Sequence, residues 1–134
     1  MKYTFYKYQG TGNDFVMFDN RKNEFPKDNV SLVASICNRR FGVGSDGLIL
    51  LEDDENTDFK MVYYNSDGKA GSMCGNGGRC IVAFAHFLGI IRDKTVFIAV
   101  DGLHEANIDG DVVSLKMSDV QEIKEKANAL YLNT

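Results

Sequence analysis

Polar and aromatic residues alternate along "KYTFYKY" (2–8), and a period of two predicts a strand. The turn "QGTGN" follows, and "DFVMFD" (14–19) reads as a second strand. The period then changes. In "PKDNVSLVASICNRR" (26–40), Val30, Val33, Ile36, Cys37 and Arg40 recur at helical spacing, with Pro26 and Asp28 as start signals. "FGVGSDG" breaks that helix, and "LILLE" (48–52) and "DFKMVYYN" (58–65) read as strands, the second running into the turn "NSDG". "CIVAFAHFLG" (80–89) is apolar around its whole circumference, which predicts a helix buried on all sides. "KTVFIAV" (94–100), "LHEANI" (103–108) and "VVSLKM" (112–117) read as strands, with "DGD" as a hairpin turn between the last two. About seven strands and two helices, one wholly apolar, predict the α+β class: a curved mixed or antiparallel sheet wrapped around a central buried helix, rather than alternating βαβ units.

Composition narrows the function classes. The 134 residues fit one domain, with 44 % apolar and 25 % charged side chains. A net charge of −4 with scattered cations, Arg39–Arg40 being a notable pair, argues against nucleic acid as a partner. No apolar run approaches the roughly 18 residues that a membrane span needs. The charged, alternating start does not read as a signal peptide. Cys37, Cys74 and Cys80 are an odd set, too sparse for a disulfide scaffold, and point to a reducing cytoplasm.

Four chemistries compete for the glycine-rich segments. Gly42, Gly44 and Gly47 match G-x-G-x-x-G, but a helix precedes them and a strand follows, the reverse of a dinucleotide site. Gly42 is instead expected to be a left-handed helix-capping residue. Cys74 and Arg79 are reminiscent of a cysteine phosphatase loop, yet only Gly75 to Gly78 intervene, one residue too few for its arginine clamp. Cys74, Cys80 and His86 lack metal-ligand spacing. Cys37 and Cys80 read as packing residues, and His86 as a partnered histidine near the core. The fourth reading is a thiolate base. At the start of a buried helix, a thiol pKa falls from about 8.5 into the range of roughly 3.5–7.5. The N–H groups of Gly75 and Asn76 would hold a carboxylate beside it, which suits removal of the adjacent α-proton.

Three segments together, "GTGNDFV" (10–16), "RRFGVGSDGLILLE" (39–52) and "YNSDGKAGSMCGNGGRC" (64–80), resemble the N-terminal half of the diaminopimelate epimerase family. "MCGNGGRC" is the most specific, because the related proline racemases place a histidine where Asn76 stands. The resemblance implies interconversion of LL- and meso-diaminopimelate, on the route to lysine and peptidoglycan, without pyridoxal phosphate or any other cofactor and without metal. It implies a fold of two similar halves, each a curved sheet around a central helix. It makes Cys74 one of two catalytic cysteines, and Asn13, Asn65, Gly75 and Asn76 substrate-binding residues. Gly47 stands where some members carry a substrate-contacting glutamine, so a contact there would come from backbone or water.

The family's second cysteine lies in the other half. Inversion needs groups on both faces of a carbon, so the resemblance implies a chain inactive alone. Residues 1–129 would be the N-terminal domain, and 130–134 ("LYLNT") the start of the join to a missing C-terminal half as its partner. A small amino-acid substrate and a homodimer are the other implied partners. From the residues themselves, a non-catalytic carboxylate- or phosphate-binding domain and a cysteine-nucleophile phosphatase stay open.

Overall fold

The computed structural model describes residues 2–117, 123–126 and 129–132. The elements run β1 (Tyr6–Gly10), β2 (Asn13–Asp19), α1 (Val30–Cys37), β3 (Gly47–Glu52), β4 (Lys60–Asn65), α2 (Gly75–Phe87), β5 (Lys94–Ala99), β6 (Gly102–Asp109), β7 (Val112–Leu115), β8 (Ile123–Lys126) and β9 (Ala129–Leu132). Strands β1 to β7 form one sheet in sequence order, and β8 and β9 pair separately. The join expected at 130–134 overlaps β9, and Asn133 and Thr134 lie outside the described residues.

The sheet is mixed. β2/β3 and β4/β5 are parallel pairs and the other neighbours are antiparallel. Parallel neighbours need a crossover, and the two helices supply both, α1 between β2 and β3 and α2 between β4 and β5. The α+β expectation holds for the class, with two βαβ crossovers inside it that the sequence reading did not separate out.

Helix α2 lies in the concavity. It packs against β1, β2 and β3 on one side and β6 and β7 on the other. Helix α1 covers the opposite face, so β2 and β3 are buried twice. Phe15, Met17, Ile49 and Leu51 join the α2 core, while Val16, Phe18, Leu48 and Leu50 pack with Val33 and Cys37 of α1. Burial on both faces explains why "LILLE" is an unbroken apolar run, whereas β6, covered on one face, alternates.

Several boundaries differ from expectation for physical reasons. Helix α1 starts late because the Asn29 side chain accepts from Leu32 N–H at 3.0 Å and takes the cap. It ends at Cys37, where extended Asn38 leaves Arg39 and Arg40 outside the helix. Gly42 is not the left-handed residue; Gly44 is, at φ 84°. Gly42 is needed because a Cβ there would collide with the carbonyl oxygens of Ser35 and Ile36. Helix α2 begins at Gly75, not Cys80, so the glycines form its first turn. A Cβ on Gly77 would lie 3.2 Å from both Ile49 Cδ1 and Met61 Cε, and one on Gly78 only 2.6 Å from Met73 Cε. These glycines serve close packing rather than loop freedom. His86 is not near the core: in the last turn of α2 Phe84 and Ala85 take the buried positions and His86 lies on the exposed side, with Nδ1 2.8 Å from the Arg92 carbonyl oxygen.

Phe84 is fully buried in the last turn of α2, its ring 5.1 Å from that of Tyr6 and 5.6 Å from that of Tyr8. Phe84→Ala is expected to cost about 3–5 kcal/mol in urea unfolding. A loss below about 1 kcal/mol, the scale of an ordinary surface change, would contradict the central place given to this helix.

Candidate active site

One rim of the sheet collects the residues singled out above. The turn between β1 and β2 brings Asn13 to it, β3 starts there at Gly47, and β4 ends there at Asn65, which pairs in register with Gly47. The first turn of α2 rises against the same rim, with Gly10 close enough that a Cβ on it would meet Asn76 Cβ at 3.5 Å.

Cys74 is the N-cap of α2, in an extended conformation at φ −119°, ψ 129°. The helix closes its first backbone bond from Gly78 N–H to the Cys74 carbonyl at 2.7 Å. No side chain caps the donors that precede it, so the first-turn N–H groups, including those of Gly75 and Asn76, point off the helix end beside the thiol. The helix dipole places positive potential at the same spot. The thiol contacts Asn13 Oδ1 at 3.6 Å.

The amides form a connected set. Asn76 Nδ2 donates to Asn13 Oδ1 at 3.3 Å, and Asn13 Nδ2 donates to Asp46 Oδ2 at 2.8 Å. Arg79 Nη2 donates to Asn76 Oδ1 at 2.6 Å, so one of its N–H groups is held by an amide. Asp46 and Arg79 escaped the sequence reading as members of this set. Only the one-turn spacing of Asn76 and Arg79 on the helix hinted at their contact.

Asn65 and Gly47 sit differently. Asn65 is exposed at the end of β4 and, among the described residues, makes no hydrogen bond to the Cys74 set; its N–H donates to Lys69 O at 2.9 Å. Gly47 is buried beneath Tyr63, where a Cβ would lie 2.6 Å from Tyr63 Cε2. Its carbonyl accepts from Ser45 Oγ at 2.8 Å. A Cβ on Gly71 would lie 2.5 Å from the Tyr63 ring, so two glycines make room for this phenol. Burial first, then the neighbouring Cys74, pushes Tyr63 up from the usual phenol range.

The acidic network behind Asn13 is tightly held. Arg39 Nη2 donates to Asp14 Oδ1 at 2.8 Å and to Asp46 Oδ1 at 2.9 Å, and Lys7 donates to Asp14 Oδ2 at 2.8 Å. Chiefly the Arg39 hydrogen bond holds the Asp14 carboxyl well below its usual range. Burial raises the other two thiols, Cys37 in direction and Cys80 to about 11. Among the described residues no group of three histidine, cysteine or acidic side chains is placed to hold a metal. Nor is any helix there long and apolar enough to cross a membrane.

A cavity of about 500 Å³ opens where β4 and β5 part after their single register pair, Lys60 with Ile98. It shares Tyr63 and Gly71 with the wall just described, but not Cys74, Asn13 or Asn76.

The chain as a whole is similar to known proteins. The family model described as "Diaminopimelate epimerase" matches residues 5–122. A diaminopimelate epimerase of Flavobacterium psychrophilum is 62 % identical over 130 residues, covering 96 % of this chain and 51 % of the relative. One from Chlorobaculum tepidum is 56 % identical over 104 residues, covering 76 % of this chain and 40 % of the relative. The chain thus spans about half the length of the curated relatives it matches. Among solved structures, a hydroxyproline epimerase from Agrobacterium vitis shares the fold at a TM-score of 0.54 and 14 % identity, covering 97 % of this chain and 41 % of that one.

Two outcomes follow from this environment. Iodoacetamide is expected to label Cys74 in the native chain and to spare Cys37 and Cys80 until denaturant is added, as read by peptide mass spectrometry; equal labelling of all three would contradict their burial. Because the folded Asp14 pKa is depressed, its stabilisation is present above the ordinary carboxylate value of about 4 and is lost as pH falls below it. Asp14→Asn is expected to weaken the fold at neutral pH and to flatten the acid limb of urea melts.

Proposed function

Since the chain belongs to the diaminopimelate epimerase family, we propose that it supplies one face of a cofactor-independent epimerisation site acting on LL- and meso-diaminopimelate. The observation that carries this reading is the half-exposed Cys74 thiol at the uncapped N-terminus of α2, 3.6 Å from Asn13 Oδ1. The relatives, named diaminopimelate epimerases, supply the substrate.

In this mechanism the α-carboxylate of substrate accepts from the N–H groups of Gly75 and Asn76. Cys74 sulfur takes the α-proton: the Cα–H bond breaks, an S–H bond forms, and the electron pair left on carbon spreads into the carboxylate. The helix N-terminus is aimed at that developing charge. In the reverse direction the thiol returns the proton. Asn13 and Asn65 help orient the substrate, each offering a donor and an acceptor. Gly47 makes room for the Tyr63 ring that covers it, and any contact of its own with substrate would be through backbone.

Inversion also requires a proton from the opposite face. Among the described residues the other two thiols, Cys37 and Cys80, are buried, so neither is available. We place that second group in a C-terminal half, with residues 1–129 as the N-terminal domain and 130–134 opening the join. Three free thiols fit a reducing compartment, and we place the protein in the cytoplasm.

The test joins residue 134 to the second half of the F. psychrophilum relative and follows inversion of LL-diaminopimelate. The joined protein is expected to invert and the 134-residue chain not to. Cys74→Ser in the joined protein should lose about 10²- to 10⁴-fold in rate. A Cys74→Ser protein that keeps its rate, or inversion by the chain alone, would overturn the proposal.

A further inference from the structure

We infer that Asp46 and Arg79 are positioning residues that anchor opposite ends of a one-way chain of side-chain hydrogen bonds and thereby decide which way the Asn13 and Asn76 amides face. Its functional meaning rests on the reading of Cys74 as the reacting group; its test does not.

The chain runs from Arg79 Nη2 to Asn76 Oδ1, from Asn76 Nδ2 to Asn13 Oδ1, and from Asn13 Nδ2 to Asp46 Oδ2, at 2.6, 3.3 and 2.8 Å. An amide presents an oxygen and a nitrogen of nearly equal size, so packing alone leaves its orientation open. The two ends remove that freedom. A guanidinium can only donate and a carboxylate can only accept. Turning Asn13 over would set its oxygen against the Asp46 carboxylate and its NH₂ against that of Asn76. Turning Asn76 over would set NH₂ against the guanidinium and oxygen against oxygen. Turning both would restore the central bond and lose the two charge-assisted end bonds, which are the strong ones.

Asp46 is fit to be an anchor because it is itself held. Its Oδ1 accepts from Arg39 at 2.9 Å, and its N–H donates to the Asp14 carboxylate and the Asp14 carbonyl, both at 3.0 Å. Arg79 reaches Asn76 from one turn along α2, so its end is fixed to the same helix that carries Cys74. The consequence falls at the sulfur. With the amides in this sense, Asn13 turns its carbonyl oxygen, not its NH₂, toward the Cys74 thiol. Cys74 therefore meets an acceptor in its protonated form, the form that returns the proton in the reverse direction.

The experiment reads the side-chain amide signals of Asn13 and Asn76 by ¹⁵N–¹H NMR in the full chain, assigned with Asn13→Ala and Asn76→Ala. Asp46→Asn is expected to move both amide pairs. In an Asn13→Ala background, Asp46→Asn should leave the Asn76 pair unmoved, because the link is cut. From the other end, Arg79→Met should move both pairs and Arg79→Lys should largely restore them; this arm stands even where Asp46→Asn disrupts the Arg39–Asp14 network. An Asn76 pair that ignores Asp46→Asn, or responds equally without the Asn13 amide, would overturn the inference, as would an Asn13 pair indifferent to Arg79→Met. The signals are read without substrate. A failed relay thus leaves the Cys74 reading standing, and a Cys74→Ser protein that still inverts leaves the relay standing.

Discussion

The site depends on how closely the first turn of α2 approaches the sheet. Gly77 lies so near Ile49 and Met61 that a methyl group would have to push into both. Gly78 is pressed in the same way by Met73 and Leu115. This contact seats the helix start against the rim where β2 and β3 begin, and so brings Cys74 to Asn13. A bulkier first turn would lift the helix end, and with it the thiol and the unpaired N–H donors, away from the asparagine. The side chains that bury the rest of the helix, Ile81, Phe84 and Ala85 among them, hold that placement.

The mixed topology explains why one rim gathers so much chemistry. The parallel β2/β3 junction, bridged by α1, brings both strands to start at the same level, while antiparallel β4 ends there. Backbone ends and turn residues therefore converge without long loops. Between β4 and β5 the ladder parts, and residues 69–71 fold back on β4 instead, with Gly71 N–H donating to the Tyr63 carbonyl at 3.0 Å. That return carries the chain up to Met73 and Cys74. Behind the rim, Asp14, Asp46, Arg39 and Lys7 form a charged network in which each carboxylate is satisfied.

Much of this was legible in the sequence where a pattern has one physical meaning. Runs of strand-forming residues located the seven strands of the sheet, although β1 lies at Tyr6–Gly10 rather than 2–8, and an all-apolar stretch located the central helix. A cysteine before glycines pointed to a helix start with free donors. Other features were hidden because local pattern and tertiary packing disagree. The glycines of α2 read as a loop, since nothing local distinguishes a glycine needed for close approach from one needed for a turn. His86 lay in an apolar run, yet it falls on the exposed side of a turn whose Phe84 and Ala85 are buried. The role assigned to Asp46 depends on a contact 33 residues away in sequence, with Asn13, that no spacing rule encodes.

The central claim is that the α2 start, not the nearby cavity, receives the substrate carboxylate. The most direct measurement is a backbone ¹⁵N–¹H titration of the chain with meso-diaminopimelate. The account predicts the largest downfield changes at Gly75 and Asn76, with smaller ones at Asn13. Changes confined to residues lining the β4–β5 cavity, such as Tyr64, Ala70 and Val100, with Gly75 and Asn76 unmoved, would contradict it.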